Sequence, residues 1–378
     1  MPQVEITTLN PVHVGNGVFL QKNIELIIKN EDGERLAGVI DDRKVLAIIG
    51  EENIDKWVAM IDAGESLVNL IKPRKPDFVL DDICRRAILM DADGYNFQSL
   101  KEQLRDGLGR PYIPGSTIKG AIRSAIFNRE IRKNGKPINK EKVVFKDRKN
   151  RNYATAAELE KELFGDGPQK DLFRFLLIGD APFVGDATIA LPMKSLNIVG
   201  DGRSVKLDTK TQQLVEAIDA ERTSVFNIKL NHQLLEENNL KGKINKYPEW
   251  LKDLKTLFQW VNENTLLLIN KEIDFWEEYE EHDRVEDYLE QLHELKETTE
   301  NCSEGSCVLR MGAGVGWSFI NGLWVKEESL VSEELYQELV SLTRPQNSRY
   351  SQYPFPKTRR VADSQYFELP GFVKLKLI

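Results

Sequence analysis

The chain has 378 residues, enough for two domains or one large elaborated one. Its 41% apolar and 8% aromatic content is that of a soluble globular protein, and no run approaches the roughly 18 apolar residues a membrane helix needs. A net charge of −8 speaks by itself against nucleic acid, and three cysteines, Cys84, Cys302 and Cys307, speak for a reducing cytoplasm and against a disulfide scaffold.

The first residues, MPQVEITTLNPVHV, lack a basic region followed by an apolar core, so no signal peptide is expected. Val4 to Leu9 alternates apolar and polar side chains, the period of a half-buried strand. Asn10-Pro11 turns the chain into VHVGNG, a loop holding His13, Gly15 and Gly17. Ile24 to Ile28 reads as a second strand, followed by a hairpin at Glu31-Asp32-Gly33 and a short strand at Val39-Ile40-Asp41. Arg43 to Gly50 and Asn53 to Ile71 are helical by apolar spacing, and Lys72-Pro73-Arg74-Lys75-Pro76 is a linker-like break.

The pivotal stretch is Arg110 to Phe127, RPYIPGSTIKGAIRSAIF. Pro111 and Pro114 hold the chain extended, because a residue before proline is pushed out of the helical region. Gly115 lets it turn, and Ser116 or Thr117 is expected to cap a helix. Ile118, Ala121, Ile122, Ala125 and Ile126 form one apolar stripe. Ser116, Lys119, Gly120 and Arg123 lie opposite, and the two cations, four apart, project from the same side. Such a helix start seats a phosphate. An ordinary amphipathic helix with a solvated basic face accounts for the same pattern.

Residues 133 to 152 read as a polar, basic loop, and Ala156 to Phe164 as a short helix. Leu172 to Ile178, Thr188 to Leu191 and Ala217 to Leu230 read as strands. Leu251 to Leu295 is a long helical region with Trp260, Phe275, Trp276 and Tyr288 as packing residues. Val308 to Met311 leads into the GAGVG run at Gly312, Gly314 and Gly316; Arg344 to Pro356 is polar and proline-rich; Phe372 to Ile378 closes with a strand. Two separated sets of strands, each interrupted by helices, fit an α+β fold.

Charge is unevenly spread. Arg110 to Arg151 holds 13 Lys/Arg against 3 Asp/Glu, Glu272 to Glu300 holds 13 Asp/Glu against 2 Lys/Arg, and Arg344 to Arg360 holds 5 cations and no acid. That asymmetry suggests a polyanion-binding face, with ordinary solvated loops as the plain alternative. His13 suits a general base by its pKa range, although a lone histidine is more often structural. GAGVG lacks the G-x-G-x-x-G spacing of a dinucleotide fingerprint, and GSTIKG is not a Walker loop. The run can expose successive N–H groups to a phosphate, or simply be a tight turn. Tyr350 to Arg360, YSQYPFPKTRR, interleaves aromatics with cations, as single-strand binders do. Cys302 and Cys307 have no second pair of cysteines or histidines nearby, so no zinc, other metal or cofactor is expected, and no motif supplies a nuclease site.

LNPVHVGNG, PYIPGSTIKGAIRSAIF, RMGAGVGW and FPKTRR occur in that order over about residues 9 to 360. In this ordered set the chain resembles the RAMP superfamily of CRISPR-associated RNA-binding proteins. More narrowly, it resembles the subunit that ends the backbone filament of the type III-A (Csm) effector complex, where the 3′ part of the guide RNA (crRNA) lies. Segments 133 to 152 and 231 to 300 are not matched. The resemblance implies two ferredoxin-like (RRM-like) units, here 1–195 and 196–378, the second with a helical insertion at about 231–300 and the glycine-rich loop at 312–316. It implies a non-catalytic role: capping the filament and supporting guide-RNA 3′-end maturation by recruited host nucleases. The implied partners are crRNA, the backbone RAMP subunits and the small helical subunits, with no membrane. Carried over by position, the RNA-facing residues are His13 and Gly15; Ser116, Lys119, Gly120 and Arg123; Arg310, Gly312, Gly314 and Gly316; Lys357, Arg359 and Arg360. The RRM code of aromatics on central strands is not evident, so base stacking on the sheet is not expected. The rivals are a RAMP endoribonuclease with His13 as base, and a backbone subunit with a metal-dependent aspartate.

Overall fold

The strand Gln3–Thr8 buries Val4 and Ile6 completely and leaves Glu5 and Thr7 half-buried, as its alternation requires. The computed structural model describes residues 2–92, 97–200, 202, 204–240, 248–279, 282–343, 354–365 and 367–378. Gln3–Thr8 pairs antiparallel with Thr223–Leu230 on one side and Phe372–Leu377 on the other. Leu176–Ile178 and Ser306–Arg310 extend the two edges into a five-stranded antiparallel sheet. Helix Gly115–Asn134 follows the first of these strands in sequence, and helix Leu254–Trp276 follows Thr223–Leu230. With Ser306–Arg310 set aside, the chain order is βαββαβ. Across the sheet the strands then run fourth, first, third, second, the ferredoxin-like arrangement.

The helix faces follow their apolar spacing. Ile118, Ile122, Ala125 and Ile126 pack with Leu257, Phe258 and Val261 against Val4, Ile6, Phe226 and Leu375 of the sheet. Each fully buried isoleucine contributes about 1.5–3 kcal/mol of transfer free energy.

A nine-stranded second sheet is built from the connections of the first. Gly15–Gln21, Leu26–Glu31, Glu34–Ile40, Cys84–Met90 and Ser99–Gln103 lie between the first strand and helix Gly115–Asn134. Thr188–Val199 and Ser204–Ile218 lie between Leu176–Ile178 and Thr223–Leu230, and Thr358–Asp363 and Phe367–Glu368 precede the last strand. The α+β class holds, but the division at 195/196 does not. It would cut the strand Thr188–Val199, and both sheets draw strands from both halves. The crossings share one end of the first sheet, where Thr7 faces Thr223, Thr8 faces Val373 and Arg310 faces Phe372.

Some local expectations change. VHVGNG is not only a loop, because an exposed strand starts at Gly15. The expected loop at residues 133 to 152 leads into a hairpin, Val144–Lys146 with Asn152–Ala154. Its turn is fixed by the Asp147 carboxylate, which accepts from the Lys149 and Arg151 amides at 2.8 and 2.9 Å. The helix expected over Asn53 to Ile71 is two, Ile54–Asp62 and Val68–Ile71, with Gly64 between them at φ 69°. Leu172–Phe175 is a 3-10 turn capped by Asp171, and the strand begins only at Leu176. Among the described residues no helix is long and apolar enough to cross a membrane, and no cluster of three or more His, Cys, Asp or Glu could hold a metal.

Candidate nucleic-acid interface

Three of the four motifs converge where the chain crosses between the sheets. The Ala313 amide donates to the His13 carbonyl at 2.8 Å, Met311 N to Gly371 O at 2.8 Å, and Gly371 N to Pro11 O at 2.9 Å. Gly312, Gly314 and Gly316 have φ of 85°, 88° and 82°, a region that favours glycine. A Cβ on Gly312 would lie 2.6 Å from the His13 carbonyl oxygen, and one on Gly314 would lie 3.0 Å from Met193 Cε and 3.3 Å from Arg360 Cβ. Gly312 and Gly314 therefore let two loops and a strand pack closely. The Ala313 amide is already spent on His13, which corrects the picture of successive amides open to phosphate. Only Gly316 of the three has open space around it.

His13 is a strut within this junction. It is 5% exposed, and its Nδ1 lies 2.6 Å from the Glu216 carbonyl oxygen. A carbonyl can only accept, so Nδ1 carries the proton. Burial pushes its pKa below the usual histidine range, so the ring is neutral near pH 7. The Glu216 carboxylate beneath it is fully buried and accepts from Arg105, from Arg86 Nη2 at 3.3 Å, from Gln103 N at 3.1 Å and from Thr188 Oγ1 at 3.2 Å. His13 is thus corrected from an RNA-facing residue to an internal one, while Gly15 beside it is exposed.

Three of the proposed RNA-facing cations are likewise engaged within the chain, Arg310 and Arg359 by burial and the partly exposed Arg123 by ion pairs. Arg123 pairs with Glu160 at 3.1 Å and Asp171 at 3.0 Å, and lies over the rings of Phe164 and Phe173. Arg310 is buried, donates to Pro370 O at 3.0 Å and stacks on Phe319 and Phe372. Arg359 is buried against the Glu272 carboxylate and over Phe275 and Trp276. The reason is general to the basic stretch: Arg110, Arg129, Arg132, Lys133, Lys140, Lys142 and Arg151 also pair with carboxylates of this chain. The excess of cations from 110 to 151 is largely neutralised by acids from elsewhere in the chain.

The helix start differs too. Pro114, not Ser116 or Thr117, is the N-cap, and the Gly115 amide donates to Asp180 Oδ1 at 2.7 Å. A carboxylate already sits at the expected phosphate seat. Lys119 is half-buried, held below the usual lysine range by desolvation, with Asp171 pulling the other way; Ser116 and Gly120 are exposed. Gly115 is small for packing, since a Cβ there would strike the Ile178 carbonyl oxygen. Gly115→Ala is expected to destabilise the fold by about 1–3 kcal/mol, read as a lower urea midpoint at unchanged slope.

What remains outside is a broken track across the second sheet: Phe19 and Gln213 are exposed and Lys101 and Arg360 half-buried, while Val215, Met193 and Ala362 between them are buried. Phe19 pairs with Lys101, Lys101 with Val215, Gln213 with Met193, and Met193 with Ala362. Directly opposed residues share a face. Arg360, two residues from Ala362, lies on it as well, with Nη1 3.4 Å from Thr211 O. From Gly15–Gln21 to Thr358–Asp363 the track crosses four strand spacings, about 19 Å. Lys101 and Arg360 have no carboxylate within ion-pair distance among the described residues, unlike Arg123, Arg129, Arg132 and Lys133 of helix Gly115–Asn134. Gly314 packs against Arg360 at the border of this face, and Lys357 Nζ lies 3.5 Å from Ile198 O. Sequence reading missed Phe19 and Lys101, because only strand pairing brings them together. Of YSQYPFPKTRR, Tyr350 to Tyr353 lie outside the described residues.

A cleft of about 1320 Å³ lies elsewhere and is lined by Glu34, Asp91, Asp219, Glu221 and Glu368 against Lys29, Arg35 and Lys72. Burial, then Asp219 and Asp91, pushes the Glu368 carboxyl up to about 7. That acidic lining does not suit a polyanion.

A family model described as the RAMP superfamily matches residues 5–319. No curated protein matches the chain. Among solved structures the chain is similar to one chain of a Csm-crRNA-target RNA ternary complex of a type III-A CRISPR-Cas system, with 18% identity, 100% of both chains covered and a TM-score of 0.67. It is also similar to T.onnurineus Csm5, with 17% identity, 98% of this chain and 99% of that one covered, and a TM-score of 0.62.

Proposed function

The chain belongs to the RAMP superfamily, and from that premise we propose that it is the crRNA-binding subunit that ends the backbone filament of a type III-A CRISPR effector complex. The observation that carries this reading is the fold likeness over the full length of both chains to a component of an RNA-bound Csm complex. The match to Csm5 across nearly the whole chain supports the same assignment. RNA would lie on the face carrying Lys101 and Arg360, held through phosphates and largely without reading sequence. The backbone and small helical subunits of the complex would be its protein partners.

We read the chain as non-catalytic, with 3′-end trimming left to recruited nucleases. The rival endoribonuclease needs His13 to reach a 2′-hydroxyl. Its burial and its bond to Glu216 O suit a fixed strut instead. The test is incubation of the purified chain with end-labelled precursor RNA, with and without divalent metal. A shifted but uncut RNA is expected. Single-turnover cutting, lost in His13→Ala with melting unchanged, would establish the endoribonuclease.

A further inference from the structure

We propose that the depression between Phe19 and Phe97 takes one unstacked base of single-stranded RNA. This rests on the RNA-binding reading above and adds to it a base site where none was expected from the central strands. Phe19 is 48% exposed on the edge strand Gly15–Gln21, along which only Leu20 is buried. Lys101 Nζ stands 5.4 Å from its ring centroid. Phe97 lies across the depression under Lys22 Nζ, 5.9 Å from that ring.

The depression holds about 310 Å³, more than one base needs, and is lined by Phe19, Phe97, Lys101, Lys210, Gln212 and Gln213, among others. No carboxylate lines it among the described residues. The phenyl face accepts any base by stacking, and the three lysines suit the flanking phosphates. Gly17, at φ 85° and with nothing within 4 Å of where a Cβ would stand, leaves the approach along the edge strand open. A protein side chain could also cover Phe19, but three lysines around it, none paired with a carboxylate among the described residues, favour a polyanion.

The test uses the full chain and single-stranded RNA carrying 2-aminopurine, whose fluorescence is quenched by stacking. Phe19 is exposed, so Phe19→Ala should melt like the wild type. It should bind about 5- to 150-fold more weakly and relieve the quenching at one position. Its salt dependence should be unchanged, because no phosphate contact is lost. Phe19→Trp should restore binding. If wild type and Phe19→Ala bind RNA alike with the same quenching, the base site is overturned and RNA binding stands. If Phe19→Ala instead releases a neighbouring subunit with RNA affinity intact, the patch is a protein contact and the base site is again overturned. If the wild type binds no RNA even at low salt, the RNA-binding reading fails and this site fails with it.

Discussion

Glu272→Leu is expected to destabilise the protein by about 3–5 kcal/mol. Glu272 and Arg359 are both buried, and the Arg359 Nη2 to Glu272 Oε2 distance is 3.0 Å. The remaining carboxylate capacity is filled by Trp276 Nε1 at 3.0 Å and the Tyr288 hydroxyl at 2.8 Å. Removing the carboxylate leaves a guanidinium in an apolar site with nothing to neutralise it. The same pair predicts a pH dependence. Burial pushes the Glu272 carboxyl up, but the Arg359 charge and the hydrogen bonds outweigh it and hold the group at about 2, below its ordinary 4.5. A carboxyl depressed in the folded state binds fewer protons there than in the unfolded chain. Its stabilisation is therefore present above about pH 4.5 and lost as pH falls through about 2. Urea melts between pH 6 and 2.5 should show a steeper acid loss for the wild type than for Glu272→Gln. Equal stability of Glu272→Leu and the wild type would mean that Arg359 is not committed to the core, and would make it an RNA contact again.

Lys101→Ala with Arg360→Ala carries the other large effect, on RNA binding rather than folding. Both side chains are half-buried on one face of the second sheet, and neither has a carboxylate partner among the described residues. If each meets a phosphate, the double variant should lower the log–log salt slope by about 1.4, from about 0.7 per phosphate of a single strand. Affinity should fall on the order of tenfold per contact, and alike for unrelated sequences. Arg123→Ala is the matching control. It breaks ion pairs to Glu160 and Asp171, so it should lower the melting temperature and leave the slope alone. A slope lowered by Arg123→Ala and untouched by the double variant would move the RNA back to the helix.

These two experiments separate what the residues reveal from what only pairing decides. The apolar stripe of helix Gly115–Asn134, the alternation of Gln3–Thr8 and the turn at Asp32-Gly33 are local, so spacing and residue type expose them. The fate of a cation is not local. Arg359 meets Glu272, and Arg123 meets Asp171, only after strands and helices far apart in the chain are packed. A run of basic residues thus looks like a polyanion seat until its acids arrive from elsewhere. The interleaving of the two sheets was hidden for the same reason. Each connection of the ferredoxin-like unit is long enough to read as a separate domain, yet its strands return to a common second sheet. Phe19 escaped notice because GVFLQ lacks an alternation that tells the exposed side from the buried one.

The most direct measurement of the central claim is a density map of the complex assembled from this chain, the backbone and small subunits, and guide RNA. The account predicts one copy at one end of the filament, at the 3′ part of the guide, with the Phe19, Lys101 and Arg360 face against the RNA. A chain repeated along the filament, or a terminal chain whose Lys101 and Arg360 face is turned away from RNA, would contradict it.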